Sequence, residues 1–310
     1  MAKIIKHTIF NKNKIKELKT KVDGNLCSSL SKDKDESYLY IENNLVIGMI
    51  SVLPIYGNPS KLSITQLIFN QSDYEVGRQL VEFVIAKFGA MGVTSFHVTV
   101  EQSHEELINL FLNQCQFRQC SFENLWKLDD LKPKTQYELP FRYFQNNDSE
   151  AVAELYNAEL KNLFKPSLER IANEYKEPVF SGLTNIYKNR YVLEEASKNR
   201  IVAYASITTN DNCNFIIDLS VNDGYQLDYD EILNFTISEI SRRKKSFYAF
   251  LKHRQYTKNA DKFEEYLHEN KLQCIQTQCV LVKDFYKPVK DYSNSHLKVF
   301  SFGEKNIMAN

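Results

Sequence analysis

The sequence lacks a long hydrophobic run and an excess of either charge. No segment of the 310 residues approaches the roughly 20 apolar residues of a membrane-spanning helix, and the beginning, MAKIIKH, has no apolar stretch of signal-peptide length. We therefore expect a cytoplasmic protein that binds no membrane. Lysine plus arginine and aspartate plus glutamate number 39 each, so no overall field attracts nucleic acid.

Motifs for metal binding and hydrolysis are also absent. The six cysteines include no C-x-x-C pair and no histidine at metal-ligand spacing, so we expect reduced, mostly buried thiols. A local pairing of Cys115 with Cys120 stays open. No H-E-x-x-H run, Walker loop or Ser/His/Asp order occurs. These absences argue against a metal site and against hydrolase chemistry.

The sequence contains two copies of one pattern, about 155 residues apart. Residues 44–52 (NLVIGMISV) match residues 199–207 (NRIVAYASI), each a polar turn that leads into a strand with apolar residues at equivalent places. Solenoid repeats have periods of about 20 to 50 residues, so each copy is predicted to be a whole domain. A hydrophobic content of 43% is sufficient for two cores.

The elements after these strands also correspond between the copies. An amphipathic helix is predicted in each, with its apolar face at Leu107, Ile108, Leu110 and Phe111 in the first copy and at Phe263, Tyr266 and Leu267 in the second. The other corresponding elements are helices over 76–88 and 231–242, strands over 95–100 and 246–251, and a closing pair of strands within 116–128 and 272–285.

Further predicted elements open each copy. The first has a basic helix over 13–22, a polar stretch over 26–36, strands over 38–41 and 45–53 around an asparagine turn, and a third strand over 61–69. The second has a strand over 141–144 and a helix over 150–161 with Asp148 and Ser149 as its N-cap.

These copies set the predicted domain boundaries. We expect one domain over 1–130 and a second over 139–290, followed by a tail over 291–310 with a strand at 297–302. The linker over 129–138 combines charge with a helix-breaking proline. An insert over 166–186 occurs only in the second copy, and such inserts form lids, substrate walls or interdomain contacts.

Residues 67–80 (LIFNQSDYEVGRQL) connect the third strand of the first copy with its long helix. Gly77 lies just inside the predicted helix, and a glycine there lets the backbone approach a ligand closely. Helix N-termini present unsatisfied N–H donors in a positive dipole field, which suits phosphate groups. A lone glycine before a helix is also common where the helix packs closely on a sheet.

The order of elements predicts an α/β fold with a mixed sheet and helices on both faces. Order and spacing resemble the GCN5-related N-acetyltransferase (GNAT) family, here as two tandem domains. In that family a bulge in the fourth strand offers backbone amides to the pantetheine arm of acyl-coenzyme A. A loop of pattern R/Q-x-x-G-x-G/A then wraps the pyrophosphate. The resemblance implies acetyl-CoA as co-substrate and no metal.

The first copy keeps part of this loop pattern. Gly77 falls on the second glycine and Leu80 on the following apolar residue, whereas Glu75 replaces the first glycine and Ser72 the Arg or Gln. A charge at Glu75 opposes a pyrophosphate unless its side chain turns outward, and Arg78 can offset it. The resemblance implies that the donor-binding residues are Leu67, Phe69, Ser72, Tyr74, Glu75, Val76, Gly77, Arg78 and His104.

The second copy departs further from the pattern. Asp228 and Asp230 occupy the two glycine positions, which places carboxylates where phosphates would lie, and Gly224 comes too early to replace them. We predict that the second domain does not bind coenzyme A in the usual way.

The later family pattern, V-x-x-x-N-x-x-A-x-x-L-Y, can be laid onto the first copy from Val100. His104 falls on the asparagine, and Phe111 replaces the tyrosine that often protonates the departing thiolate. Leu267 takes the same place in the second copy. Neither copy keeps this acid, so catalysis would depend on positioning and on polarisation by amides.

Glu101, with His97 and His104 near it, is a candidate base for an incoming amine. The alternative, which we favour, is that Glu101 and His104 cap the following helix. Similarly, the run over 242–245 is expected at a helix end, where cations complement the dipole. Trp126 and most tyrosines are expected in the core rather than in an acceptor cleft.

The leading hypothesis is an acyltransferase whose first domain holds acetyl-CoA and whose second domain shapes the site for a small-molecule or peptide amine. A second hypothesis is a non-catalytic binding or regulatory protein. A third is an aminoacyl transferase of the tandem-GNAT type. Those chains carry a helical arm that is missing here, so it ranks last.

Overall fold

The computed structural model describes residues 3–6, 26–27, 36–69, 74–128, 139–177, 187–195, 200–225 and 227–285. The helix predicted over 13–22, the linker over 129–138 and the strand at 297–302 lie outside the described residues. Of the polar stretch over 26–36, the structure describes 26–27 and Glu36.

The strands, in chain order, are β1 (Lys3–Lys6), β2 (Leu26–Cys27), β3 (Glu36–Glu42), β4 (Leu45–Pro54), β5 (Lys61–Phe69), β6 (Ser95–Glu101), β7 (Arg118–Lys127), β8 (Arg142–Tyr143), β9 (Tyr187–Glu195), β10 (Arg200–Thr209), β11 (Asn214–Val221), β12 (Tyr248–Arg254) and β13 (Gln273–Asp284). The helices are α1 (Tyr74–Ala90), α2 (Glu105–Asn109), α3 (Ser149–Glu159), α4 (Lys165–Leu168), α5 (Ala172–Tyr175), α6 (Tyr229–Arg243) and α7 (Ala260–Glu269). A π-helical turn (Leu110–Gln114) continues α2, and a 3-10 turn (Asn146–Asp148) precedes α3.

All of these strands belong to one mixed sheet. Its order is β1-β3-β4-β5-β6-β13-β7-β12-β11-β10-β9-β8, and β2 pairs with β5 beside this path. The pairs β5–β6 and β11–β12 are parallel. The predicted mixed sheet is therefore confirmed, with each half contributing an antiparallel run that ends in one parallel pair.

Local sequence explains the first hairpin and its packing. Asn43 and Asn44 adopt positive φ values of 48° and 64°, the left-handed conformation that a tight turn between antiparallel strands requires and that asparagine tolerates. Gly48 lets α1 lie close to β4, because a Cβ there would be 2.6 Å from Val76 Cγ1.

The terminal strands differ from the prediction. Each half has one closing strand rather than two, and the two strands are exchanged. β13 from the second half pairs with β6 and β7 of the first, while β7 pairs with β12 of the second. The predicted number of closing strands was therefore wrong, because each run continues as one long strand without an intervening turn. The exchange was not predicted, since alternation along a strand does not specify its partners.

The exchange also links the two hydrophobic cores. Cys279 and Leu281 of β13 pack in the core of the first half, and Trp126 of β7 packs in that of the second. The next residues on the other face, Val280 and Val282, pack with α3 in a third cluster. Helices therefore cover both faces of the sheet, as predicted, and Trp126 is a packing residue.

The described part of the insert forms an interdomain contact. Asn58 Nδ2 donates to Glu174 Oε1 of α5 at 2.6 Å, and Arg118 Nη2 of β7 donates to Ser167 Oγ of α4. Gly57, with φ of 74°, lies so close to α5 that a Cβ would be 2.2 Å from Asn173 O. Of the lid, substrate wall or interdomain contact predicted for this insert, residues 166–177 form an interdomain contact.

Candidate functional site

The site predicted in the first half begins where β5 and β6 diverge. The two strands pair in parallel only from Lys61↔Ser95 to Ile64↔Val98. At this point β5 carries a bulge, because its register with β4 passes from Val52↔Ile64 to Ser51↔Gln66 and skips one position of β5, Thr65. The bulge bends β5 away from β6. The result is a wedge-shaped opening between the far ends of two parallel strands.

β2 lies on the edge of β5 that this opening exposes. Leu26 pairs with Leu67 and Cys27 with Gln66, antiparallel. The same two residues of β5 pair with Ile50 and Ser51 of β4 on the opposite edge. Since a strand has only two edges, β2 occupies the one that β6 has left. Two backbone positions of the expected donor groove are thus paired with the chain itself.

The helix start that follows is closely packed. A Cβ on Gly77 would lie 2.8 Å from Phe69 Cε1 and 3.0 Å from Leu110 Cδ2, so a larger residue cannot fit without displacing the phenylalanine ring. Phe69 also packs edge-on against Tyr74, with ring centroids 5.6 Å apart. Gly77 is therefore needed for packing, in addition to any role in ligand approach.

The Glu75 carboxylate pairs with side chains that lie one turn further along α1. It accepts hydrogen bonds from Arg78 Nε at 2.9 Å and from Gln79 Nε2 at 2.8 Å. These bonds, led by that from Arg78, lower the pKa of Glu75 to about 2. Its charge is compensated by Arg78 on the exposed side of α1, so it opposes an anion at the helix start less than a free carboxylate would.

The other predicted donor residues differ in what their side chains contact. The side chains of Leu67 and Val76 lie in the first core, so they can contribute only backbone groups. Tyr74 is partly exposed, and its hydroxyl donates to Glu106 Oε2. The structure brings Leu67, Phe69, Tyr74, Glu75, Val76, Gly77 and Arg78 together at the end of β5 and the start of α1. Ser72 lies outside the described residues.

Glu101 and His104 do not cap α2, which corrects our preferred expectation. His104 occupies the N-cap position, yet its side chain makes no cap hydrogen bond. Glu101 instead accepts from Gln276 Nε2 of β13 at 2.9 Å, and its Oε2 lies 3.9 Å from His104 Nε2. Both side chains are 41% exposed. Glu101 thus stands at the mouth of the opening, held by a residue from the second half.

His97 has a structural environment. Its Nε2 lies 2.9 Å from Ser95 Oγ, which donates to Asp284 Oδ1 at 2.6 Å. Burial, with Lys61 nearby, lowers the pKa of His97 to about 4, so the ring is neutral near pH 7. His97 joins β6 to β13 and does not reach the opening with Glu101.

The second half contains a similar divergence with different contents. β11 and β12 pair only from Asn214↔Tyr248 to Asp218↔Lys252, and β10 and β11 pair without a register shift, hence without a bulge. Glu159 at the end of α3 accepts a hydrogen bond from Val221 N–H at the end of β11. The backbone N–H of Val221 at this second opening is therefore already bonded to a side chain of the protein.

The start of α6 is also occupied. Asp228 is its N-cap, and Asp228 Oδ1 accepts from the backbone N of Asp230 at 2.8 Å. Gly224 has no φ in the left-handed region, and a Cβ there would approach Asn222 Oδ1 at 3.2 Å. These contacts place negative charge where a phosphate would lie in the first half.

A small polar cavity lies between β11, β12 and the ends of α3, α6 and α7. It is about 20 Å³, room for roughly one water molecule. Glu159, His253 and Arg254 line it, each with one buried polar atom that makes no hydrogen bond, although Glu159 Oε2 lies 3.8 Å from Arg254 Nη1 in an ion pair. Burial raises the pKa of Glu159 to about 7, against the opposing effect of Arg254.

Sequence reasoning did not identify three residues that matter here. Glu159 could have been found, because it follows the buried Leu155 by four positions and so lies on the apolar face of α3. Gln276 and Leu26 carry no such signal, since their partners lie far away along the chain. Phe111 and Leu267, which take the place of the family tyrosine, are both fully buried.

The structure also bears on the cysteines, on the basic run and on possible metal or membrane-spanning segments. Cys115 and Cys120 are free thiols and both are buried. Arg242 and Arg243 lie in the last turn of α6, as predicted. The described residues include no cluster of three or more potential metal ligands, and none of their helices is long and apolar enough to cross a membrane.

Comparison with known proteins gives structural matches but none at the level of sequence. No protein-family profile matches the chain, and no curated protein matches it. A tandem GNAT protein from the clavulanic acid biosynthesis pathway aligns with a TM-score of 0.59 and 10% identity, over 93% of this chain and 100% of its own. A GCN5-related N-acetyltransferase from Sphaerobacter thermophilus aligns with a TM-score of 0.58 and 11% identity, over 93% and 97%.

At these identities the matches report the fold. The chain has the fold of the GCN5-related N-acetyltransferases, in its tandem two-domain form.

Proposed function

We propose that this protein is an N-acyltransferase that transfers an acetyl group from acetyl-CoA to an amine, with the donor bound in the first half. The acceptor is a small molecule or a peptide that carries the amine. The second half completes the first by contributing β13 and leaves its own opening to internal contacts.

One asymmetry between the halves carries this proposal. Only the first divergence has a bulge, at Thr65, and only there does the helix start keep a glycine and a neutralised acid. Backbone amides beyond a bulge and at a helix start are donors for an amide-bearing arm and for phosphate. In the second half the Glu159 and Asp228 carboxylates already accept from the corresponding amides.

The expected chemistry needs few side chains. The amine nitrogen attacks the thioester carbonyl carbon, the C–N bond forms, and the C–S bond breaks to release the thiolate. The attacking nitrogen loses one proton, and the thiolate or solvent takes one up. Glu101 lies at the end of β6 with a side chain that is 41% exposed, and we assign it as the proton acceptor. Positioning supplies much of the remaining rate enhancement.

Calorimetric titration with acetyl-CoA tests the proposal directly. We expect one binding site for each chain and no second site. Absence of heat at millimolar ligand, or two equivalent sites, would contradict it. Two measurements on Glu101→Gln separate binding from catalysis. The affinity for acetyl-CoA should be unchanged, whereas turnover with an accepted amine should fall by about 10²-fold or more.

A second candidate is a non-catalytic binding module. One observation favours it: the chain's own groups occupy both openings, β2 in the first and Glu159 in the second. This candidate predicts no change in melting temperature with any acyl-CoA. A concentration-dependent rise, which ligand binding to the folded state produces, would exclude it.

A further inference from the structure

The exposed edge of β5 is the most unusual feature of the first opening. Beyond Ile64 this edge no longer pairs with β6, and at Gln66 and Leu67 it pairs with Leu26–Cys27. The partner is only two residues long. Such a short strand has at most a few hydrogen bonds, so its pairing is weak compared with that of the flanking strands.

We propose that Leu26–Cys27 and the acyl donor compete for this edge of β5, so that β2 must leave before the donor is fully bound. This inference rests on the proposed function, because it takes the same edge as the donor groove. β2 then acts as an internal occupant that lowers the apparent affinity of the first half for its donor.

The backbone groups explain why the two occupants exclude each other. An extended peptide and an amide-bearing arm both pair with strand N–H and C=O groups, and each of these groups lies on one edge only. β4 already uses the opposite edge of Gln66 and Leu67. A second partner on the remaining edge therefore requires that the first be removed.

Energetics make the exchange feasible. Only the molecules in which β2 has left β5 can bind the donor. The apparent dissociation constant for the donor equals the dissociation constant of these molecules divided by the fraction of the protein that they represent. Since a net hydrogen bond changes an equilibrium by about two- to tenfold, loss of this pairing should tighten donor binding by the same factor.

The test compares two double variants that differ in one backbone property. In an antiparallel pair, hydrogen-bonded and non-hydrogen-bonded positions alternate, so both residues are changed together. Leu26→Pro with Cys27→Pro removes both N–H donors and disfavours the pairing. Leu26→Ala with Cys27→Ala replaces both side chains and keeps both N–H groups. Each full-length protein is titrated with acetyl-CoA, and hydrogen exchange is measured for the peptide that spans β5.

We expect the double-proline variant to bind acetyl-CoA about two- to tenfold more tightly than wild type, with faster exchange in β5. The double-alanine variant should match wild type in both measurements. Faster exchange without tighter binding would overturn the competition and leave the proposed function intact. No binding by any of the three proteins would overturn both. A melting temperature close to that of wild type shows that the proline variant is folded.

Discussion

The Glu159 carboxylate accepts a hydrogen bond from the backbone N–H of Val221. This contact joins the end of α3 to the end of β11, at the opening of the second half. It satisfies a backbone amide at this opening with a side chain of the protein itself, and Glu159 is only 5% exposed. The consequences are both functional and energetic.

Glu159 should make stability depend on pH. Burial raises its pKa from 4.5 to about 7, so the folded protein holds a proton that the unfolded chain has released. The contribution of Glu159 to the free energy of unfolding therefore falls by roughly 3 kcal/mol as pH rises from about 4.5 to 7. The lowered pKa of His97 acts with the opposite sign, so the contribution of His97 rises over much the same pH range. Glu159→Gln should remove this part of the pH dependence, as measured by urea denaturation at pH 5 and pH 8.

Glu150→Gln is the matched control for that experiment. Glu150 is exposed at the beginning of the same helix, so its replacement should leave the pH dependence as in wild type. If the free energy of unfolding changes equally with pH in wild type and Glu159→Gln, the buried, proton-binding role of Glu159 is contradicted.

Two glycines of α1 should respond in opposite directions to alanine. At Gly77 a Cβ would press on Phe69 at 2.8 Å, whereas at Gly89 nothing lies within 4 Å. Gly77→Ala should lower the free energy of unfolding by about 1–3 kcal/mol, and Gly89→Ala should raise it by about 0.5–1 kcal/mol. Chemical denaturation measures both. Stabilisation by Gly77→Ala would show that the contact with Phe69 is looser than described.

The Arg78–Glu75 pair should influence donor binding through charge. Without Arg78, the Glu75 carboxylate loses its two hydrogen bonds from the guanidinium and is left near the helix start. Arg78→Ala should weaken acetyl-CoA binding by about two- to fivefold at low salt, and less at high salt. Glu231→Ala, at the equivalent position of α6, should have no effect. Equal effects of the two variants would argue against a donor site at α1.

The exchanged strands predict that the first half does not fold alone. A fragment of residues 1–130 lacks β13, which pairs with both β6 and β7 and places Leu281 in the first core. We expect no cooperative unfolding transition for this fragment and a transition when it is co-expressed with residues 131–310. Circular dichroism during heating distinguishes the two. A cooperative transition for the fragment alone would mean that the exchange is dispensable.

Local features of the fold could be predicted from sequence. β5 was predicted over 61–69 and occupies Lys61–Phe69, because polar and apolar residues alternate from Lys61 to Thr65 and an apolar run follows at 67–69. The asparagine turn before β4 was predicted from the preference of asparagine for turns. These features depend on residues next to one another in the chain, where propensity and periodicity act.

Features that depend on distant partners could not be predicted. β7 and β13 alternate like ordinary strands, and nothing in them specifies an exchange between halves. Gln276 reaches Glu101 only through that exchange. Likewise, the alignment that placed Gly77 on a ligand-binding glycine gave no indication of its contact with Phe69 or of β2 beside it.

A crystal structure of the full chain soaked with acetyl-CoA tests the central claim most directly. The account predicts density for the pantetheine arm along the edge of β5 beyond Ile64 and for the pyrophosphate at the start of α1. It also predicts that Leu26–Cys27 is displaced and that no ligand is present beside Glu159. Density at the second opening, or β2 still paired with β5 in a saturated crystal, would contradict it.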